Sequence, residues 1–220
     1  MFKNLNYAAV WRSLDDLAYG LGLALSLAVI SIILGSLIGI VVAFSLTSKK
    51  KHLRIVSNGY VTGIRNIPLM IIVLFIYFGL PDIGLLFGQM ESFIFALTIY
   101  AGAYLAEVFR GGLISIPVGI TEAGMASGMS NLQINMFIKL PILLRSVMPA
   151  LSNNFISLFK DTSIASVIAV QELTFQIRKI NLDTFRTIEA WSFGTLIYVF
   201  VCIGIASILR IFERRLAIPR

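Results

Sequence analysis

The sequence predicts an all-α integral membrane protein of about five transmembrane helices. The N-terminus is placed outside, the C-terminus in the cytoplasm, and short helices in the inside connector between spans 3 and 4. Three observations predict it. The 220 residues are 58% hydrophobic and only 13% charged, far more apolar than a soluble domain. Residues 17–48 and 190–209 carry no charge at all, and a spanning helix needs about 20 such residues. The apolar runs do not alternate with polar residues, which excludes a β-barrel, and the cations gather in short connectors between the runs. Residues 1–220 therefore read as one transmembrane domain.

Residues 1–16 form a mildly amphipathic head with Tyr7, Trp11, Asp15 and Asp16, without the basic start or cleavage site of a signal peptide. Span 1 covers about 17–47. Its Gly35, Gly39 and Ala43 fall four apart, which predicts one flat face for close helix contact. Lys49, Lys50, Lys51 and Arg54 mark a cytoplasmic connector. Span 2 covers about 56–80, with Arg65 towards its inner end and Pro68 just after. The stretch 81–91 has no Lys or Arg and reads as outside. Span 3, about 92–113, places Glu107 and Arg110 three apart on one helical face, an expected ion pair.

The connector of about 117–140 is then inside. Pro141 and Pro149 open span 4, about 141–170, which is interrupted by Lys160 and Asp161. Residues 171–189 are polar, amphipathic and outside, their cations offset by Glu172, Asp183 and Glu189. Span 5 takes about 190–210, and Arg210, Arg214, Arg215 and Arg220 hold the C-terminus inside. The net charge of +7 follows this topology, so nucleic acid is excluded as a partner. The single His52 has no ligand-spaced neighbours, and the single Cys202 reads as a small buried thiol.

Within the inside connector, Pro117 and Gly119 end the third span. A short helix over about 120–127 stops at Gly128. Ser130 and Gln133 then match a capping box that starts a second short helix ending near Ile138, and Pro141 suits the first residue of the next span. Ala123, Gly124, Ala126 and Gly128 present little bulk, Met125 and Met129 offer adaptable apolar contact, and Glu122 offers one charge. These are the makings of helix-in-groove recognition by another protein.

Glu122-Ala123-Gly124, the glycine at Gly128 and the close Ile138-Lys139-Leu140-Pro141 stand in register. In this the chain resembles the permease subunits of bacterial ABC importers, in which this pattern is the cytoplasmic ATPase-coupling loop. The run Arg65-Asn-Ile-Pro68, the run Ala106-Glu107-Val-Phe-Arg110-Gly-Gly and Lys160-Asp161-Thr162-Ser163 resemble the polar amino-acid branch of that family. One departure is Gly124 where the family carries a second alanine; a smaller residue is expected to preserve close approach.

The resemblance implies a multi-pass subunit of the bacterial inner membrane. It implies two ABC ATPase subunits, an extracytoplasmic amino-acid-binding protein and a second permease copy or paralogue as partners. The chain has no G-x-x-x-x-G-K-[ST] phosphate loop. It is therefore read as binding no cofactor, with ATP and Mg used by the partner and no enzymatic activity of its own.

Charges within a span are costly and face a cavity or a partner charge. Asp161 is expected to hold a substrate ammonium, while Thr162 and Ser163 meet its carboxylate. Lys160 is counted with them, and Asn154, two helical turns before Asp161, reads the side chain. A neutral amide there points to glutamate or aspartate first and glutamine second. Arg65, Pro68, Glu107 and Arg110 are read as structural or gating residues. Two rival classes are an intramembrane enzyme and a passive channel or structural subunit. The first lacks any paired carboxylate, His pair or Ser–Lys pair within the spans, and the second would not engage an ATPase.

Overall fold

The computed structural model describes residues 5–216, with side chains as far as Arg214. Arg220 and the side chain of Arg215, the final two topology markers, lie outside the described residues. The described chain is helical: α1 Ala8–Arg12, α2 Leu14–Leu46, α3 Lys51–Arg65, α4 Leu69–Ile83, α5 Gln89–Ile114, α6 Val118–Ala126, α7 Asn131–Ile168, α8 Leu173–Thr184 and α9 Thr187–Leu216. Four of these, α2, α5, α7 and α9, are long and apolar enough to cross a membrane, and α3 with α4 makes a fifth span if that bent pair is counted as one.

Span 2 is thus corrected. It is not one helix over 56–80 but two, meeting at a break over Asn66–Pro68. Proline lacks an N–H and forces the residue before it out of the helical region. Arg65 is accordingly the last residue of α3, and Pro68, with φ −57° and ψ 134°, precedes α4. Of the basic connector, Lys51 and Arg54 form the first turn of α3, and Lys49 and Lys50 lie in the turn before it.

Span 4 needs a second correction. The expected short helix ending near Ile138 and the span after it are one continuous helix, α7, with Pro141 and Pro149 in its interior. The turn before Pro141, Ile134–Lys139, is wound as a π-helix. A π-turn leaves the i→i−4 hydrogen-bond pattern that a proline cannot continue. The same device recurs in α4, where the π-turn Phe75–Gly79 stands directly before Pro81. At its other end α7 tightens to a 3₁₀ helix over Thr162–Ile168 and stops at Ala169, whose φ of 61° is left-handed.

The described residues divide into two compact units, each assembled from separate stretches of chain. The first comprises residues 5–32, 68–98 and 156–205. Its core joins Val10 and Leu17 to Leu173, Ile177, Ile180 and Ala190. Beside it, Ala24, Ala28 and Phe159 pack with Tyr198 and Cys202. Cys202 is half-buried rather than enclosed as expected. Helix α8, expected only as a polar connector, lies tightly against its neighbours. A Cβ at Gly20 would come within 2.9 Å of Gln176, and one at Gly194 would strike Ile177.

The second unit comprises residues 33–67, 99–155 and 206–216. Here the small-residue stripe does what the spacing foretold: Gly35, Gly39 and Ala43 are all buried. A Cβ on Gly39 would sit 3.1 Å from the backbone nitrogen of Ala106. Lipid tails are as apolar as leucine, so such close van der Waals contact, rather than escape from water, holds membrane helices together. The Tyr60 hydroxyl adds a 2.6 Å hydrogen bond to the Ile99 carbonyl. Gly112 is a close contact of α5 with α7, where an added Cβ would overlap Val147 and come within 2.6 Å of Leu143. Gly112→Leu is expected to cost about 1–3 kcal/mol or more through overpacking, read as a lower melting temperature of the detergent-solubilised protein.

Candidate functional site

The connector between α5 and α7 folds as an elbow. Pro117, at φ −56° and ψ 137°, turns the chain from α5 into α6. Helix α6 ends in a Schellman motif: Gly128 has φ +77°, its N–H donates to the Met125 carbonyl at 3.0 Å, and the Met129 N–H donates to the Gly124 carbonyl at 3.1 Å. Two residues on, the expected capping box is present. The Gln133 N–H donates to Ser130 Oγ at 3.3 Å, and the Ser130 N–H donates to Gln133 Oε1 at 2.8 Å. The first joint is therefore fixed by backbone hydrogen bonds and the second by the side chains of Ser130 and Gln133.

Side-chain direction within the elbow differs from expectation at one position. Glu122, Ala123, Ala126 and Gly128 are exposed, but Gly124 is buried. A Cβ there would meet Ile134 at 2.9 Å and Ile138 at 3.3 Å. Gly124 therefore brings α6 down onto the first turns of α7 and offers no surface to a partner. Ile138, Lys139 and Leu140 are half-buried, and Pro141 is exposed on α7.

Next along α5, Glu107 and Arg110 form the expected ion pair, with Arg110 Nη2 at 2.7 Å and Nε at 3.1 Å from Glu107 Oε2. The guanidinium of Arg65 lies over the Tyr104 ring, 5.2 Å from its centroid. Arg65, Tyr104 and Glu107 line an open cavity of about 380 Å³ with Thr62 and Asn66. Pro68 only shapes the break between α3 and α4.

The polar residues of α7 are distributed across both units. In the second, Asn154 is half-buried and its amide donates to the Ala150 carbonyl at 2.8 Å. In the first, Lys160 is exposed and Asp161 half-buried, and among the described residues they form no ion pair. Thr162 is fully buried and its hydroxyl donates to the Phe159 carbonyl at 2.7 Å, so it faces no solvent-filled space. Ser163 is half-buried. The switch from α to 3₁₀ winding at the end of α7 falls between Asp161 and Thr162.

Residues 35–218 match the family of binding-protein-dependent transport system inner membrane components. The chain belongs to that family. It is 34% identical to the glutamine transport system permease protein of Escherichia coli (strain K12), over 97% of this chain and 98% of that one. It is also 34% identical to the L-cystine transport system permease protein of Bacillus subtilis (strain 168), over 91% and 86% respectively. Identity to the octopine transport system permease protein of Rhizobium radiobacter is 32%, over 94% and 88%. Among solved structures, an amino acid ABC transporter crystallised with histidines superposes with a TM-score of 0.87 at 29% identity, covering 96% of this chain and 99% of that chain. A methionine ABC transporter shares the fold, with a TM-score of 0.81 at 21% identity over 94% and 99%. The all-α, multi-pass membrane architecture is that of an ABC permease.

Sequence reasoning misses one residue of this permease. Glu172 is completely buried before α8. Its carboxylate accepts from the N–H groups of Thr174 and Phe175, each at 2.9 Å, and from the Tyr198 hydroxyl at 3.3 Å. Thr174 and Tyr198 share a further hydrogen bond of 2.8 Å. A capping pattern of Glu before an apolar turn is the available signal, obscured because glutamate is not among the favoured N-caps.

Burial raises the Glu172 carboxyl from its ordinary 4.5 to about 7, although the two backbone donors, Tyr198 and Thr174 oppose the rise. The unfolded chain therefore gives up this proton first as pH rises. The stabilisation is complete below pH 4.5 and is lost as pH climbs to about 7. The change is on the order of 3 kcal/mol. Thermal unfolding across that range should show a downward slope, and Glu172→Gln should flatten it.

Proposed function

We propose that this permease is the membrane-spanning subunit of an ATP-driven importer of a polar amino acid. Glutamine, glutamate and aspartate head the candidates. Relatives named for glutamine and cystine transport support an amino-acid substrate, and the glutamine relatives favour an uncharged amide. Two ATPase subunits hydrolyse Mg-ATP, a binding protein delivers the substrate from outside, and a second permease copy or paralogue completes the pathway. The connector charges support an N-terminus outside and a C-terminus inside, and the family match supports a bacterial inner membrane.

The single observation that carries this reading is the elbow. Exposed Glu122, Ala123 and Ala126 lie on a short helix locked at Gly128 and Ser130 and continuous through Gly124 with the foot of α7. A force applied to α6 is transmitted directly into a helix that carries Asn154, Lys160 and Asp161. ATP-driven closure of the partner subunits moves α6, and alternating access follows. Asp161 holds the substrate ammonium, Ser163 and Lys160 serve the carboxylate, and Asn154 reads the side chain. Arg65, Glu107 and Arg110 serve as structural or gating residues of the second unit.

Reconstitution with ATPase and binding protein tests this against the passive-channel reading. Uptake of labelled glutamine, glutamate or aspartate is expected only with ATP, and ATP hydrolysis should rise with the transported amino acid. Flux without ATP would favour the channel.

A further inference from the structure

The second unit holds a cavity that neither the elbow nor the polar residues of α7 explain. It has a volume of about 440 Å³ and opens between the end of α2, the end of α5, α6 and the first turns of α7. Three lysines line it: Lys49 and Lys50 from the turn after α2, and Lys139 from α7. Among the described residues none of the three belongs to an ion pair. Asn131 and Asn135, about two turns and one turn before Lys139, put amide donors on the same wall.

Three cations and two amides around one space is a donor set for a tetrahedral oxyanion. Thr47, Ser48 and Thr121 add hydroxyls, and Phe44, Leu113 and Met125 supply the apolar part of the lining. Phe44 and Leu113 belong to the ends of two membrane-spanning helices, where the polar headgroups of a bilayer begin. A free phosphate has no use for that surface, whereas the glycerol and first methylenes of a lipid do. Basic pockets at span ends are the expected hosts of anionic headgroups.

We propose that this cavity binds the phosphate of an anionic phospholipid headgroup, with Lys49, Lys50 and Lys139 as the cationic clamp. Binding there places a lipid against Thr121 and Met125 of α6, on the cavity side of the helix whose Glu122 and Ala123 are exposed.

The full chain, purified in detergent with equal amounts of phosphatidylglycerol and phosphatidylcholine, is examined by native mass spectrometry. Retained phosphatidylglycerol is expected to exceed phosphatidylcholine about tenfold. The triple variant K49Q/K50Q/K139Q should reduce that preference to below about twofold. K49R/K50R/K139R, which keeps the charge, should retain it. K51Q/R54Q/R145Q removes the same charge from residues that do not line the cavity, and should also retain it. A folded K49Q/K50Q/K139Q protein with undiminished preference overturns the proposal. So does an equal fall in K51Q/R54Q/R145Q, which would make the attraction general. Inorganic phosphate alone, added at millimolar concentration, should leave the lipid bound; displacement would identify free phosphate as the ligand and overturn the lipid assignment.

Discussion

Gly128→Val is expected to reduce ATP-driven uptake at least tenfold while the protein still inserts and purifies as a folded subunit. The reason is conformational. At Gly128 φ is +77°, and nothing lies within 4 Å of where a Cβ would stand. Space is therefore ample, but an L-residue in this region costs about 1–2 kcal/mol, and a β-branched one more. The cheapest relief is to abandon the left-handed turn. That breaks the Met129-to-Gly124 and Gly128-to-Met125 bonds that end α6 and unsettles the capping box at Ser130 that starts α7. Gly128→Asn, which tolerates the left-handed region, should keep most of the uptake. Amino-acid-stimulated ATP hydrolysis in proteoliposomes checks both. Undiminished uptake by the valine variant would detach the elbow from coupling.

Asp161→Asn is expected to abolish uptake, by at least tenfold, without loss of assembly. Asp161 is half-buried within a spanning helix, beside exposed Lys160 and without an ion pair among the described residues. Adjacent helical residues point about 100° apart, so the two charges do not readily neutralise each other. On the proposed reading, an ammonium-bearing substrate is the partner of Asp161. The double variant K160Q/D161N separates this role from a structural one. If the two residues only balance each other's charge, removing both should restore transport. If Asp161 receives the substrate, the double variant should remain inactive, with ATP hydrolysis no longer rising on addition of the amino acid.

Local chemistry made much of the fold and half of the site legible. Charge-free runs marked the long helices because a span must satisfy its own backbone and exclude charge. The Gly35–Gly39–Ala43 spacing named the buried face of α2 because residues four apart share one side of a helix. Gly128 and the Ser130–Gln133 pair announced the two joints of the elbow because caps are made between residues a few positions apart. Prolines were the weak point. Pro68 reads as lying within a span but breaks it, whereas Pro141 reads as opening a helix and instead lies within one. Pro149 too lies inside α7, with regular α-helix before it, so no local pattern tells which prolines break a helix.

The spans, the family and the cap chemistry are thus written in the order of residues, because each depends on neighbours along the chain. Only packing settles that Gly124 faces Ile134 and Ile138 rather than a partner, that Glu172 is sealed beneath Tyr198, and that lysines from α7 and from the turn after α2 share one cavity. Burial and convergence depend on which distant segments come together, and no local pattern encodes that choice.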